Sequence, residues 1–210
     1  MNISKLKQAE QDFFDIYPDG FSNPIMQQIA KKHKPVQMTE LASKLFDKAN
    51  FENPLDIVSA MIQVVTRSSL ISIFEKPKFR DSAKILPSYM QEQMANALYK
   101  FLYSNQDSGF ELLVKALKNI KLATWSLVTV CPFYVFPKTE VFMKPTTVKG
   151  VIEFFELEGF EYKPNPTYQF YKKYRDAINE MKEHVDPSLA PDNGYFSGFL
   201  MMAMEHKGDH

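Results

Sequence analysis

The chain has 210 residues, with 25 Lys and Arg against 25 Asp and Glu, 45% hydrophobic residues, 7 Gly and one Cys. That length supports one sizeable core in a single domain. A formal net charge of zero excludes global steering toward nucleic acid or an anionic membrane, so any such binding rests on a local patch, and the lone Cys131 excludes an internal disulfide.

The opening segment MNISKLKQAEQDFFD lacks the apolar core of a secretory leader. The run from Trp125 to Pro137 is too short to span a bilayer and is interrupted by Pro132. A cytoplasmic protein without membrane association is the expectation.

Asn-Pro pairs supply helix starts, because Asn caps well and Pro is preorganised for the first helical position, where its missing N–H costs nothing. Asn23-Pro24 opens IMQQIAKKHK, with His33 favourably placed as a cation at the helix end. QMTELASKLFDKA reads as the next helix. Asn53-Pro54 opens LDIVSAMIQVVTR, where Leu55, Val58, Ile62 and Val65 fall on one stripe. Ile71–Ile73 is the nearest approach to a strand and is too short to build a sheet. SYMQEQMANALYKFLYS follows Pro87, with Ser88 as cap, and Asp107 or Ser108 caps GFELLVKALKNI, whose apolar face is Leu112, Leu113, Ala116, Leu117 and Ile120. The near-apolar run Trp125–Phe136 is the expected core helix. TTVKGVIEFFELE carries Val148, Ile152 and Phe155 in register. Asn165-Pro166 opens TYQFYKKYRDAINEMKEHV with Tyr168, Tyr171, Ile178 and Met181 on one side. FLMMAM finishes a last core helix, and the tail from about residue 205 is expected to fray. The pattern predicts an all-α, single globular multi-helix domain over residues 1–210, with roughly nine helices.

Several chemistries are excluded by composition. No two glycines lie closer than Gly194 and Gly198, so Walker-type and dinucleotide loops are absent. One Cys and scattered His do not furnish a Cys/His metal site. His206 and His210, four apart in the tail, suit adventitious metal at most. No cofactor is expected. Cys131 with a distant His184 makes a nucleophile–base pair only on paper, and a Cys inside an apolar helix reads as inert core. Glu153, Glu156, Glu158 and Glu161 read as a solvated face rather than an acid–base or cation site.

Charge is segregated along the neutral chain. From Val64 to Lys84 five bases (Arg67, Lys76, Lys78, Arg80, Lys84) stand against Glu75 and Asp81. From Leu112 to Gly150 six lysines stand against Glu140 alone, and the following eleven residues carry four acids and no base. If the two basic segments converge, they offer a phosphate the charges of Arg67, Lys76, Arg80, Lys144 and Lys149, with Thr146 and Thr147 at a helix N-terminus. The plainer reading leaves the lysines solvated and pairs Arg67 with Glu75 or Asp81.

The segments FFDIYPDGF, TRSSLISIFEKPKFRDSAK, ATWSLVTVCPFYVFPKTEVFMKPTTVK and YKPNPTYQFY resemble an uncharacterised bacterial protein family without assigned activity. Thr124-Trp125 and Phe142-Met143-Lys144-Pro145 carry most of that resemblance, with Ser126 where the family has proline. LKNIKLATW followed by KPTTVKGVIEFF is also similar in shape to helix-hairpin-helix DNA glycosylases, through Leu117, Ile120, Thr124, Thr146 and Val148. Asn119 and Lys121 replace that family's hairpin glycines, and Pro145 stands where its catalytic Asp would be. The likeness implies a helical scaffold that touches a nucleic-acid backbone and does not excise bases.

Three functions follow as expectations. The first is a non-catalytic binding protein for a phosphate-bearing partner such as nucleic acid. The second is an enzyme with a small-molecule pocket beside Trp125, to which Glu75, Asp81 and Lys144 contribute. The third is a helical interaction module that oligomerises through exposed aromatics.

Overall fold

A computed structural model of the chain describes residues 1–205. The tail beyond Glu205, with His206 and His210, lies outside the described residues. Eleven α-helices form one all-α domain: α1 (Ile3–Ile16), α2 (Pro24–His33), α3 (Pro35–Leu45), α4 (Pro54–Arg67), α5 (Glu75–Lys84), α6 (Ser88–Tyr103), α7 (Gln106–Asn119), α8 (Trp125–Val135), α9 (Pro145–Phe154), α10 (Tyr168–Lys182) and α11 (Asn193–Glu205). Three short 3-10 turns lie between them, and there is no strand among the described residues. The helices beyond the nine segments anticipated above are α1 and α5. Helix α5 buries only Phe79 and Ala83, one turn apart, which leaves a faint apolar signature in EKPKFRDSAK.

Helix α8 is the axis of the fold. Every residue from Trp125 to Tyr134 is buried, as expected of a helix that is apolar on all sides. Helices α3, α4 and α7 pack around it. Cys131 is 1% exposed, and burial pushes its thiol up to about 12. It is a core residue, with no thiolate available at neutral pH.

Thr129 holds the chain that follows α8. Its hydroxyl donates to the Trp125 carbonyl at 2.8 Å and accepts from the Met143 amide at 3.0 Å. A buried amide in an extended segment thus finds its partner in a helix side chain. Elsewhere, α6 and α7 form an antiparallel hairpin whose backbones nearly touch. A Cβ on Gly109 would lie 2.1 Å from the Phe101 nitrogen, so only glycine fits there.

At three helix starts the cap differs from expectation. The start at Asn165-Pro166 moves to Tyr168, because Thr167 accepts from the Phe170 amide and Glu111 from α7 takes the Tyr168 amide at 2.7 Å. Helix α7 begins at Gln106, capped by Asn105, whose side chain accepts from the Ser108 amide; Asp107 and Ser108 lie inside the first turn. Ser88 is the first residue of α6 and makes no capping bond. The apolar face of α4 is also rotated. Ile57, Val58, Ala60, Met61, Val64 and Val65 are buried, whereas Leu55 is 46% exposed.

Candidate functional site

The residues singled out in the sequence fall into two neighbourhoods. The first surrounds Trp125. Thr124 caps α8 and donates to Glu75 Oε1 at 2.7 Å, which ties the first turn of α5 to α8. The indole is enclosed by Phe110, Tyr162 and Phe170, and its N–H donates to the Lys163 carbonyl at 2.8 Å. Lys149 lies over the Tyr162 ring, 5.6 Å from its centroid. Glu75, Trp125 and Lys149 are therefore brought together, but around a filled core: Trp125 is 1% exposed. Lys144 is the residue before α9 and makes no capping bond, with Thr146 exposed and Thr147 half-buried in the first turn.

The second neighbourhood is α5 and the end of α4. Arg80 and Asp81 pair with each other at 2.7 Å on the outer face. Lys76 is half-buried one turn earlier and has no ion pair among the described residues. Arg67, the last residue of α4, pairs with neither Glu75 nor Asp81. With the Gln63 amide oxygen facing it, its guanidinium donates twice at 3.2 Å within its own helix. Among the described residues, no hydrogen bond, ion pair or ring contact joins Lys144–Lys149 to Arg67, Lys76 or Arg80.

What the sequence reading missed lies beside Arg67. His33 Nδ1 is 2.8 Å from Ser69 Oγ, which joins the end of α2 to the end of α4 across 36 positions. Lys34 follows in the left-handed region at φ 47°, and Pro35 opens α3 at once, so the basic run Lys31–Lys34 is presented as a tight corner. All four of those residues are exposed, as are Arg67 and Ser69. Neither contributing segment holds an acid: none lies between Gly20 and Thr39, and none between Ile57 and Phe74. The signal that would have found this surface was the absence of Asp and Glu from both stretches. The contact itself had no local trace.

A buried polar network was missed as well. Glu140, the lone acid of its segment, is 5% exposed. It accepts from the Tyr171 hydroxyl at 2.6 Å and pairs with Arg175 at 3.3 Å. Gln106 accepts from both Arg175 and Tyr168, and Asn193 donates to the Glu140 carbonyl at 2.9 Å. Burial first, then the Glu140 carboxylate, pushes the Tyr171 phenol well above its ordinary range. These contacts lock the loop after α8 to α7, α10 and α11. The side chains pack against one another, which makes the network a structural clamp.

A shallow open groove of about 580 Å³ lies between Met1, Leu157, Phe160 and the outer face of α10. Lys172 is paired there with Asp176, and Lys173 stacks on Phe160. Among the described residues no group of three or more His, Cys, Asp or Glu could hold a metal ion, and no helix is long and apolar enough to cross a membrane.

The turn between α7 and α8 bears on the glycosylase-like shape. Lys121 has φ 58°, in the left-handed region that favours glycine, at one of the positions where that family carries glycine. The amides of Ile120, Lys121, Leu122 and Thr124 all donate to carbonyls of the same turn, so they are not free for a phosphate. Compared with protein-family models, curated proteins and solved structures, the chain shows no match.

Proposed function

We propose that this protein is a non-catalytic binding module for a phosphate-bearing partner, engaged through the surface where α2 and α4 end. The observation that carries the reading is the His33–Ser69 hydrogen bond, which joins the end of α2, with Lys31, Lys32 and Lys34, to the segment that follows Arg67, with no acid in either contributing segment. Cations at helix C-termini are electrostatically favoured there, and uncompensated ones remain free for an external anion. Of the residues named from sequence, Arg67 belongs to this surface. Lys144, Thr146, Thr147 and Lys149 form a separate, weaker candidate at the start of α9. Lys76 and Arg80 follow Arg67 in sequence, with Arg80 already engaged by Asp81.

The competing pocket reading loses support from the packing of Trp125, whose ring is enclosed by aromatic side chains. The test is binding of the full chain to three polyanionic probes, a short DNA duplex, polyphosphate and anionic vesicles, each at low and moderate salt. Contact with about four phosphates predicts roughly a 100-fold loss of affinity between 50 and 200 mM salt for a duplex-like polyanion. Absence of binding to all three, or binding that a Lys32→Glu/Arg67→Glu variant leaves intact, refutes the proposal.

A further inference from the structure

The apolar residues beside this basic corner narrow the partner further. Ile25 and Ile29 lie one turn apart on α2 and in line with His33, and they are 57% and 43% exposed. Val36, two residues after Lys34, is 59% exposed. On the other side of the His33–Ser69 contact the chain runs on to Ile73 and Phe74, which are 75% and 71% exposed. The acids that follow these two segments along the chain lie at their ends: the Glu75 carboxylate accepts from Thr124, and Glu40 sits one turn beyond Val36. Exposed aliphatic and aromatic side chains around a lysine and arginine cluster match an anionic bilayer interface, which offers phosphate to the cations and acyl chain to the apolar groups. A nucleic-acid backbone gives isoleucine side chains nothing to enter.

We infer that the phosphate-bearing partner is an anionic lipid surface. The chain docks on it peripherally, with Lys31, Lys32, Lys34 and Arg67 at the headgroups and Ile29, Ile73 and Phe74 reaching below them. This inference rests on the binding reading above and specifies its partner.

The test is sedimentation of the full chain with vesicles of phosphatidylcholine alone or mixed with phosphatidylserine, with a DNA duplex measured in parallel. The expected result is partition onto the mixed vesicles only, lowered about fivefold for each basic residue removed. Phe74→Ser and Ile29→Ser, at exposed positions, should each lower it several-fold while the circular dichroism spectrum stays that of the parent. A Phe74→Trp variant should be quenched by lipids brominated on the acyl chain. Binding to DNA without binding to mixed vesicles overturns the lipid inference and leaves the broader reading standing. Binding to neither overturns both. Vesicle binding that ignores the Phe74 and Ile29 substitutions, with no quenching of Phe74→Trp, also overturns the inference.

Discussion

Gly109 offers the sharpest test of the packing. An Ala side chain there would place Cβ 2.1 Å from the Phe101 nitrogen and 2.5 Å from the Lys100 carbonyl carbon and the Phe101 Cα. All three are backbone atoms of α6, so no rotamer change relieves the clash. The two helices must separate by about 1 Å or more, which loosens Phe101 and Phe110, buried rings in edge contact at 5.5 Å. Overpacking of this kind costs about 1–3 kcal/mol or more, against about 1 kcal/mol returned by the better helix propensity of Ala. With the damage to the aromatic contacts included, the expected net loss is about 2–4 kcal/mol, a fall in Tm of about 5–15 °C for a chain of this size. Gly198 provides the internal control. It too is helical, but a Cβ there meets nothing within 4 Å. Gly198→Ala should therefore stabilise by about 0.5–1 kcal/mol. Urea titration and thermal melts of both variants decide the matter. If Gly109→Ala lies within 0.5 kcal/mol of the parent, or gains stability as Gly198→Ala does, the close approach of α6 and α7 is wrong.

Thr129→Val keeps the shape of the buried side chain but strands the Met143 amide, and should cost about 1–3 kcal/mol in urea unfolding. With its thiol pushed up to about 12 and closed to solvent, Cys131 should react with a thiol reagent only as fast as the protein opens; immediate labelling of the native state would contradict its placement. Hydrogen bonds from Lys5 and Asn2 hold the Glu156 carboxyl below its ordinary value, so its contribution is present above the unfolded pKa and lost as pH falls through the folded one. Glu156→Gln should accordingly lower stability slightly at neutral pH and flatten the acid limb below pH about 4.5, where variant and parent converge. Arg175→Met leaves the Glu140 carboxylate buried without its cation and should cost about 3–5 kcal/mol, whereas the Glu140→Gln/Arg175→Met double variant should lose less than the sum of the single losses. Additive losses would show that the pair is not coupled.

How much of this was legible depends on whether the cause was local. Helix α8 could be read directly, since a run that is apolar on all sides has only one place to go. Asn23-Pro24 worked as a local device: Asn23 accepts from the Ile25 amide, and the helix starts at Pro24. Asn165-Pro166 failed because the distant Glu111 takes the Tyr168 amide and Thr167 caps the helix through the Phe170 amide. The stripe on α4 was misplaced because Ile57, Met61 and Val64 face helices that meet α4 from several sides, and periodicity within one segment does not reveal those neighbours. Helix α5 has too little apolar surface to announce itself. At the candidate site, Arg67 was visible as a base, but its setting was not. The residue that brings Lys31–Lys34 to it is an ordinary serine 36 positions away from His33.

The balanced charge of the chain conceals where its acids are spent. Glu140 is consumed in the core by Tyr171 and Arg175. The Glu75 carboxylate is turned to the Thr124 hydroxyl, and Glu111 accepts the Tyr168 amide at the start of α10. These bonds fix where the carboxylates point without removing their charge. Arg175 is taken up with Glu140, whereas Lys31, Lys32, Lys34 and Arg67 remain exposed, and the segments that carry them contribute no acid of their own. On the proposed reading the corner where α2 and α4 end is positive, and the exposed Ile29 and Phe74 on the same two segments distinguish it from an ordinary solvated lysine face. Here five large apolar side chains, Ile25, Ile29, Val36, Ile73 and Phe74, stay open on the two segments that lack acids. That coincidence of missing acid and exposed apolar surface is what favours a lipid interface over a bare polyanion.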